Sequence, residues 1–307
     1  MPWTAADIPD LTGRTAVVTG ANSGIGFRAA VELARHGAAV TLAARDPGRG
    51  ADALRRLLAD VPAAEVTLAK LDLADLASVR TFAETYHPDG LDLLVNNAGV
   101  MAPPLRRTAD GFESQFGTNH LGHFALTGLL LPRLLARPGA RVVTVTSTLH
   151  TLGRMSFDDL DAQGRYRKWP AYARSKLANL LFTFELQRRA DDAGVDLRSV
   201  AAHPGYTATN LQTAGPKLAG SKISEYGAML MTKLIGQPDT QGALPTLRAA
   251  TDPAARGGEV FGPSGFQQLH GAPIQVPVSK RARDRADAER LWAVSEEKTG
   301  VRYPAFV

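Results

Sequence analysis

The sequence contains no cysteine among its 307 residues. Disulfide bonds and thiolate metal sites are therefore excluded, and the composition fits a reducing compartment, so we expect a cytoplasmic protein. Histidine does not replace the missing thiolates, because His120 and His123 stand close together without a carboxylate that completes a ligand set. We expect no metal site.

Long hydrophobic runs are missing as well. No apolar stretch reaches the roughly 18 residues of a membrane-spanning helix. The polar residues 1–7 also lack the basic and apolar regions of a signal peptide. We therefore expect a soluble chain without a membrane anchor.

Clustered charge is scarce too. The chain has 35 Lys and Arg residues against 30 acidic residues, a net charge of +5, and the excess is spread out. The two basic patches, at residues 165–168 and 280–285, are short and contain no aromatic ladder. We expect no nucleic-acid binding.

Strand-like runs and helical patterns alternate along the chain. Seven runs predict strands, at residues 14–19, 39–44, 66–71, 91–96, 141–146, 195–202 and 258–261. Helical patterns such as residues 24–36 and 177–190 lie between them, and continuously apolar runs such as Ala16-Val17-Val18 are typical of strands covered on both faces. This order predicts one α/β domain over residues 1–307, with a doubly wound, seven-stranded parallel sheet.

Two segments depart from this alternation. Residues 211–237 lack a strand, and we expect a helical flap whose Leu, Met and Ile side chains form an apolar lid over a substrate. Residues 266–307 form a C-terminal extension.

Two apolar rows run along the helix predicted to begin near residue 172. The rows consist of Leu177, Leu181 and Phe184, and of Ala178, Phe182 and Leu186. One row must face the sheet, and the other is a candidate subunit interface of a homo-oligomer.

A glycine-rich turn follows the first predicted strand and opens the first predicted helix. Its spacing, Gly-x-x-x-Gly-x-Gly, permits a tight turn and the close approach of a phosphate to the N-terminal amides of the helix. The residues predicted to bind the pyrophosphate of a dinucleotide are Gly20, Asn22, Ser23, Gly24 and Ile25.

The end of the second predicted strand indicates which dinucleotide is preferred. Arg45 and Arg49 lie where an Asp or Glu would bind the ribose hydroxyls of NAD. A guanidinium group instead matches a 2′-phosphate. Asp46 is the one competing carboxylate. We predict that NADP(H) is the preferred cofactor and that NAD(H) is possible.

Tyr172 and Lys176 are one helical turn apart, so a phenol and an ammonium group project from the same helix face. A nearby cation favours phenolate and lowers the pKa of the phenol toward working pH. The pair is therefore a candidate acid and base for proton exchange with an alcohol or a carbonyl.

Together with four further motifs in the same order, these features resemble the short-chain dehydrogenase/reductase family. The matching residues are 19–26, Asn96-Asn97-Ala98-Gly99, Asn119, Ser147, Tyr172 with Lys176, and His203-Pro204-Gly205. Residues 147–150 and 175–183 are similar to its retinol-dehydrogenase-like branch. The resemblance implies a Rossmann-type fold and hydride transfer between a nicotinamide cofactor and a small-molecule carbonyl or alcohol.

The resemblance also implies a role for each residue. Tyr172 exchanges a proton with the substrate oxygen, Lys176 lowers the pKa of Tyr172 and binds the nicotinamide ribose, and Ser147 holds the substrate oxygen. Asn119 positions a water that links Lys176 to solvent. Further cofactor contacts are implied for Asp72, Leu73, Asn97, Ala98, Gly99, Pro204, Gly205, Thr207 and Thr209.

Two other functions stay open. A non-catalytic binding protein that senses NADP(H) would not need the four catalytic residues, and a nucleotide-sugar epimerase or dehydratase would share the tyrosine and the lysine. The substrate is open as well. The apolar flap favours a lipophilic aldehyde, ketone or alcohol, whereas Arg154, Arg165 and Lys168 favour an anionic substituent.

Overall fold

The apolar runs of the sequence become the strands of one central sheet. The structure is a computed structural model that describes residues 1–207 and 237–306. The strands are Thr15–Thr19 (β1), Ala39–Ala44 (β2), Val66–Lys70 (β3), Leu93–Asn96 (β4), Ala140–Val145 (β5), Leu197–Ala202 (β6), Val260–Pro263 (β7) and Pro273–Gln275 (β8). Their order across the sheet is β3-β2-β1-β4-β5-β6-β7-β8.

The helices cover both faces of this sheet. In the described residues they are Gly24–Arg35 (α1), Pro47–Asp60 (α2), Leu76–Thr85 (α3), Ser114–Phe116 (α4), Gly122–Leu135 (α5), Lys168–Asp192 (α6), Asp239–Thr251 (α7) and Arg285–Thr299 (α8). A π-helical turn, Gly117–Leu121, joins α4 to α5. None of the described helices combines the length and the apolar character needed to cross a bilayer.

The central residues of β1 are apolar because helices cover both faces of this strand. Successive side chains of a strand point to opposite faces. Val18 packs in the cluster that contains Leu33 of α1, whereas Val17 packs in the cluster that contains Phe124 of α5. All four residues are nearly inaccessible to solvent. Burial on both faces therefore selects the continuous apolar run.

The direction of chain crossover changes at β1, which pairs in parallel with both β2 and β4. The chain first moves outward through β2 to β3 and then returns to β4 on the other side of β1. Such a switch leaves a crevice at the carboxyl ends of the strands, and open α/β sheets bind their ligands there.

The seven parallel strands predicted from the sequence are confirmed, but the sheet has an eighth strand. β8 pairs with β7 in the antiparallel sense. It has three residues, begins with a proline and exposes two of its side chains, so it lacks the length and pattern that predict a strand. The predicted flap at residues 211–237 lies outside the described residues apart from Gln237.

The C-terminal part of the chain covers the helix face that was a candidate subunit interface. Leu177 and Leu181 of α6 are fully buried in a cluster that includes Leu291 of α8. Phe182, in the other row, is buried in a cluster that includes Trp292 of α8. Both rows of α6 pack inside this chain, so the prediction of a subunit interface on this face is wrong.

Candidate active site

A cleft opens at the carboxyl ends of β1, β2, β4 and β5. It brings together most of the residues predicted as cofactor contacts. Those that line it are Gly20, Asn22, Ser23, Gly24, Ile25, Arg45, Arg49, Asp72, Leu73, Asn97, Ala98, Gly99, Tyr172, Lys176 and Pro204. Lining residues that sequence reasoning missed are Leu71, Val100, Thr118, Val145 and Thr146.

The glycine-rich turn fits a cofactor phosphate. Gly20 has a φ of 65°, which favours glycine. A Cβ on Gly26 would lie 2.3 Å from Nδ2 of Asn97, so the turn packs directly on the residue after β4. Ser23 is the N-cap residue of α1, but its side chain makes no capping hydrogen bond. The first amides of α1 therefore lack a side-chain partner from the cap and suit an anion.

Where the cleft reaches the end of β2, Asp46 is engaged with the start of α2. Its carboxylate accepts the backbone N–H of Arg49 at 2.9 Å and caps the helix. This hydrogen bond lowers the pKa of Asp46. Arg45 and Arg49 line the same end, and neither guanidinium forms a salt bridge within residues 1–207 and 237–306. The cleft here presents two cationic side chains beside one capping carboxylate.

Tyr172 and Lys176 are brought together with Ser147. The Tyr172 and Lys176 side chains are buried, at 5% and 4% exposed. Nζ of Lys176 donates a hydrogen bond to the backbone oxygen of Val145 at 3.1 Å and lies 5.7 Å from the centroid of the Tyr172 ring. The Ser147 side chain lies close enough to the Tyr172 phenol to lower the pKa of that phenol. Two hydroxyls and an ammonium group thus converge at the end of β5.

Burial, rather than the attraction between ammonium and phenolate, is the main cause of the pKa shifts of Tyr172 and Lys176. Desolvation raises the pKa of Tyr172 to about 12, although the neighbouring Ser147 side chain lowers it. Desolvation also lowers the pKa of Lys176 to about 8. The expected net shift of the Tyr172 pKa toward working pH is wrong for this arrangement, because loss of water disfavours the charged form of both groups and outweighs the nearby cation. Tyr172 is a neutral phenol at pH 7.

The side chain of Asn119 connects the cleft wall to α6. Its Oδ1 accepts the backbone N–H of Val100 at 2.8 Å, while Nδ2 donates to the backbone oxygen of Val100 at 3.0 Å and to Oγ of Ser175 at 2.9 Å. Asn119 lies in the π-helical turn, a feature frequent at functional sites. A Cβ on Gly99 would lie 3.1 Å from Oδ1 of Asn119, so the amide abuts the cleft directly.

Two further polar side chains of α6 support the site, and sequence reasoning missed both. Oγ of Ser175 donates to the backbone oxygen of Tyr172 at 2.8 Å, and Nδ2 of Asn179 donates to the backbone oxygen of Val145 at 3.1 Å. With Tyr172 and Lys176 they occupy positions i, i+3, i+4 and i+7, a single helix face. The signal that could have found them was a polar stripe at helical spacing beside the apolar residues Leu177, Leu180 and Leu181.

The histidines serve the structure. Nδ1 of His123 pairs with the backbone oxygen of Asn119 at 3.0 Å, and its Nε2 pairs with Oγ1 of Thr19 at 2.9 Å. Nε2 of His120 pairs with Oγ of Ser295 at 2.8 Å. Burial lowers the pKa of His120 to about 3 and that of His123 to about 4, so both are neutral. Within the described ranges no group of three His, Asp or Glu side chains could hold a metal ion.

The predicted contacts near the carboxamide end are only partly described. Pro204 lines the cleft. Gly205 instead packs against the backbone at Leu269, where a Cβ on Gly205 would clash with the backbone oxygen. Oγ1 of Thr207 donates to the backbone oxygen of Pro204 at 2.7 Å. Thr209 lies outside the described residues.

Sequence comparison relates the chain to dehydrogenases. Residues 14–217 match the family model described as short chain dehydrogenase. Retinol dehydrogenase 12 of Mus musculus is 41% identical over 300 residues, which cover 95% of this chain and 88% of that protein.

Two solved structures are similar over most of the fold. An uncharacterized protein from Mycobacterium paratuberculosis is 47% identical, with a TM-score of 0.82 over 99% of this chain and 100% of that chain. A Beutenbergia cavernae protein, provisionally described as an NAD(P)-dependent gluconate 5-dehydrogenase, was solved with NADP bound at low occupancy. It is 28% identical, with a TM-score of 0.62 over 82% of this chain and 95% of that chain.

The buried ammonium of Lys176 should destabilise the fold at neutral pH. Because its pKa is about 8 when folded against an ordinary 10.5, the cost is fully present below pH 8 and disappears as pH rises from 8 toward 10.5. Lys176→Met should therefore be more stable than the wild type at pH 7. Between pH 7 and pH 10 the difference should shrink by on the order of 2 kcal/mol.

Urea denaturation of both proteins across this pH range measures the difference. Lys70→Met, which removes an exposed lysine at the end of β3, is the matched control for the loss of one lysine. A wild-type advantage at pH 7, or a difference that does not change with pH, would contradict the assignment of a desolvated ammonium to Lys176.

Proposed function

Because this chain belongs to the short-chain dehydrogenase/reductase family, in its retinol-dehydrogenase-like branch, we propose that it is an NADP(H)-dependent enzyme that interconverts a lipophilic carbonyl compound and its alcohol. Membership makes the chain an oxidoreductase with a nicotinamide cofactor. The observation that most supports the carbonyl chemistry is the convergence of the Ser147 hydroxyl, the Tyr172 phenol and the Lys176 ammonium group at the end of β5.

The catalytic residues divide the proton chemistry among them. The nicotinamide supplies the hydride to a carbonyl carbon, or takes it from an alcohol, when it is bound. Tyr172 donates the proton to the substrate oxygen as a neutral phenol, and the neighbouring hydroxyl of Ser147 orients that oxygen. Lys176 is mainly an ammonium group below pH 8, so it stabilises the phenolate that remains.

The preference for NADP(H) is supported by the charges at the end of β2. Arg45 and Arg49 both line the cleft, and a guanidinium binds a phosphate with charge-assisted hydrogen bonds. Asp46 would repel a 2′-phosphate less than a ribose-binding carboxylate does, since its carboxylate accepts the backbone N–H of Arg49. NADP in the Beutenbergia cavernae relative is consistent with this preference.

A lipophilic substrate is supported by apolar side chains near the catalytic pair. Trp169, on the first turn of α6, is half exposed, and its ring centroid lies 6.5 Å from that of Tyr172 in an edge-on arrangement. Leu152, five residues after Ser147, is 70% exposed. Binding of an apolar ligand over this surface is favourable, because it removes exposed apolar surface from water. Arg154, by comparison, forms no hydrogen bond with the catalytic side chains in the described part of the chain.

Reduction assays over a series of neutral aldehydes and ketones test the reaction and the substrate class together. KM should fall by up to about fourfold for each added methylene, since each buried CH₂ contributes about 0.8 kcal/mol. Tyr172→Phe should lower kcat by roughly 10²–10⁴-fold, because the proton donor is lost. Binding of NADPH to Tyr172→Phe, measured by fluorescence titration, should stay close to the wild type, since the ring still packs.

Matched carboxylated carbonyl compounds are the control for substrate class. If they react much better than the neutral series and added salt removes the advantage, the lipophilic assignment is wrong. A Tyr172→Phe variant that keeps more than about a tenth of the wild-type rate would refute the role of Tyr172, since general acid catalysis contributes far more than tenfold.

Arg45→Asp should weaken NADPH binding by at least about tenfold, because one charge-assisted hydrogen bond contributes about 1.5–3 kcal/mol. NADH binding should weaken much less or improve. Arg55→Asp is the matched control, since it makes the same charge change on α2, at a residue whose salt bridge within the described residues is with Asp52. Equal catalytic efficiency of the unaltered protein with both cofactors would contradict the preference.

A further inference from the structure

Two amide side chains, four residues apart, join the same two parts of the molecule. Asn119 binds Val100 in the cleft wall and Ser175 on α6. Gln115 lies one helical turn earlier, in α4, and is fully buried. Gln115 binds Ala102 in the same loop, two residues after Val100, and Lys168 at the start of α6. Gln115 therefore duplicates the bridging arrangement of the catalytic asparagine.

The amide of Gln115 is fully used in this bridge. Its Oε1 accepts the backbone N–H of Ala102 at 2.8 Å. Its Nε2 donates to the backbone oxygen of Lys168 and to the hydroxyl of Tyr166, both at 2.9 Å. That hydroxyl donates in turn to the backbone oxygen of Pro103 at 2.9 Å. Loop and helix are tied by a closed set of hydrogen bonds.

The loop end of this bridge has an unfavourable backbone conformation. Ala102 has a φ of 48°, in the left-handed region that is unfavourable for a residue with a Cβ. It is buried at 4% exposed. Such a conformation persists only where neighbours enforce it, and Gln115 holds its N–H directly. Two residues earlier, Val100 lines the cleft.

The helix end of the bridge lies one turn before the proton donor. Lys168 is the first residue of α6, and Tyr172 follows four residues later. In an α-helix the carbonyl of Lys168 is also the acceptor for the N–H of Tyr172. The Gln115 amide therefore holds the same carbonyl group that anchors the backbone of Tyr172.

We propose that Gln115 is a positioning residue that sets the distance between Tyr172 and the cleft wall formed by the loop at Val100. It acts through Lys168 and Ala102 and touches no reacting atom. The proposal rests on the function proposed above, because its consequence is a slower proton and hydride transfer. A displacement of about 1 Å in a reacting group can lower a rate by about 10²-fold.

Gln115→Met tests the proposal, because it keeps the length of the side chain and removes every hydrogen bond. We expect kcat to fall by about 10- to 100-fold, while the Kd for NADPH and the KM for the carbonyl substrate change little. Rates are normalised to the NADPH-binding sites counted by titration, so a loss of folded protein does not count as a loss of kcat.

Gln187→Met is the matched control at the far end of α6. The Gln187 amide also bridges α6 to backbone groups, since its Nε2 donates to the oxygen of Leu197 at 3.3 Å and its Oε1 accepts from Ser199 at 2.7 Å. Loss of the Gln187 amide should lower the midpoint temperature of thermal unfolding and leave kcat per binding site near the wild-type value. A Gln115→Met variant with the same behaviour would show that Gln115 is merely structural and would overturn the proposal.

A second variant keeps the test decisive if Gln115→Met does not fold. Gln115→Leu, a shorter apolar side chain, also removes the acceptor for Ala102 and the donor to Lys168, so kcat should again fall; a wild-type kcat would overturn the proposal. Tyr172→Phe is measured in parallel. If Tyr172→Phe keeps its activity, the proposed function itself is refuted. If Tyr172→Phe is inactive but the Gln115 variants keep the wild-type kcat, only the positioning role is refuted.

Discussion

The hydrogen bonds of the Asn119 amide are the interaction on which the site depends. They join the loop after β4 to α6, and therefore join the wall of the cofactor cleft to the helix that contains Tyr172 and Lys176. A buried amide without its partners costs about 1–3 kcal/mol, so loop and helix hold each other at one separation. Ser175 extends this arrangement, because it accepts from Asn119 and donates to the backbone of Tyr172.

Much of the fold could be predicted because burial leaves a clear pattern. Residues such as Val17 and Val18 face opposite layers of helices, and the continuous apolar run that results is visible in the sequence. Gly20 and Gly26 are required by backbone conformation and close packing, which made the phosphate turn recognisable. β8 was missed because a three-residue edge strand depends on its neighbour, β7, rather than on its own pattern.

The site was predictable where chemistry requires particular residues, and less so where tertiary contacts decide. Tyr172 and Lys176 were identified by spacing and by resemblance, yet the direction of the Tyr172 pKa shift was wrong, because the degree of burial cannot be read from a helical spacing. Gln115 gave no signal, since its partners Ala102 and Lys168 are distant in sequence. The prediction of a subunit interface on α6 was wrong because of another contact between residues distant in sequence. Leu177 packs in one buried cluster with Leu291 of α8.

The central claim is that these residues reduce a carbonyl group with hydride from a nicotinamide cofactor, and an isotope experiment tests it most directly. Reduced cofactor deuterated at the transferable position of the nicotinamide is turned over with a neutral aldehyde or ketone, and the alcohol is examined by mass spectrometry and NMR. The account predicts one deuterium on the carbinol carbon of each product molecule. Product without deuterium, or deuterium released into water, would contradict it.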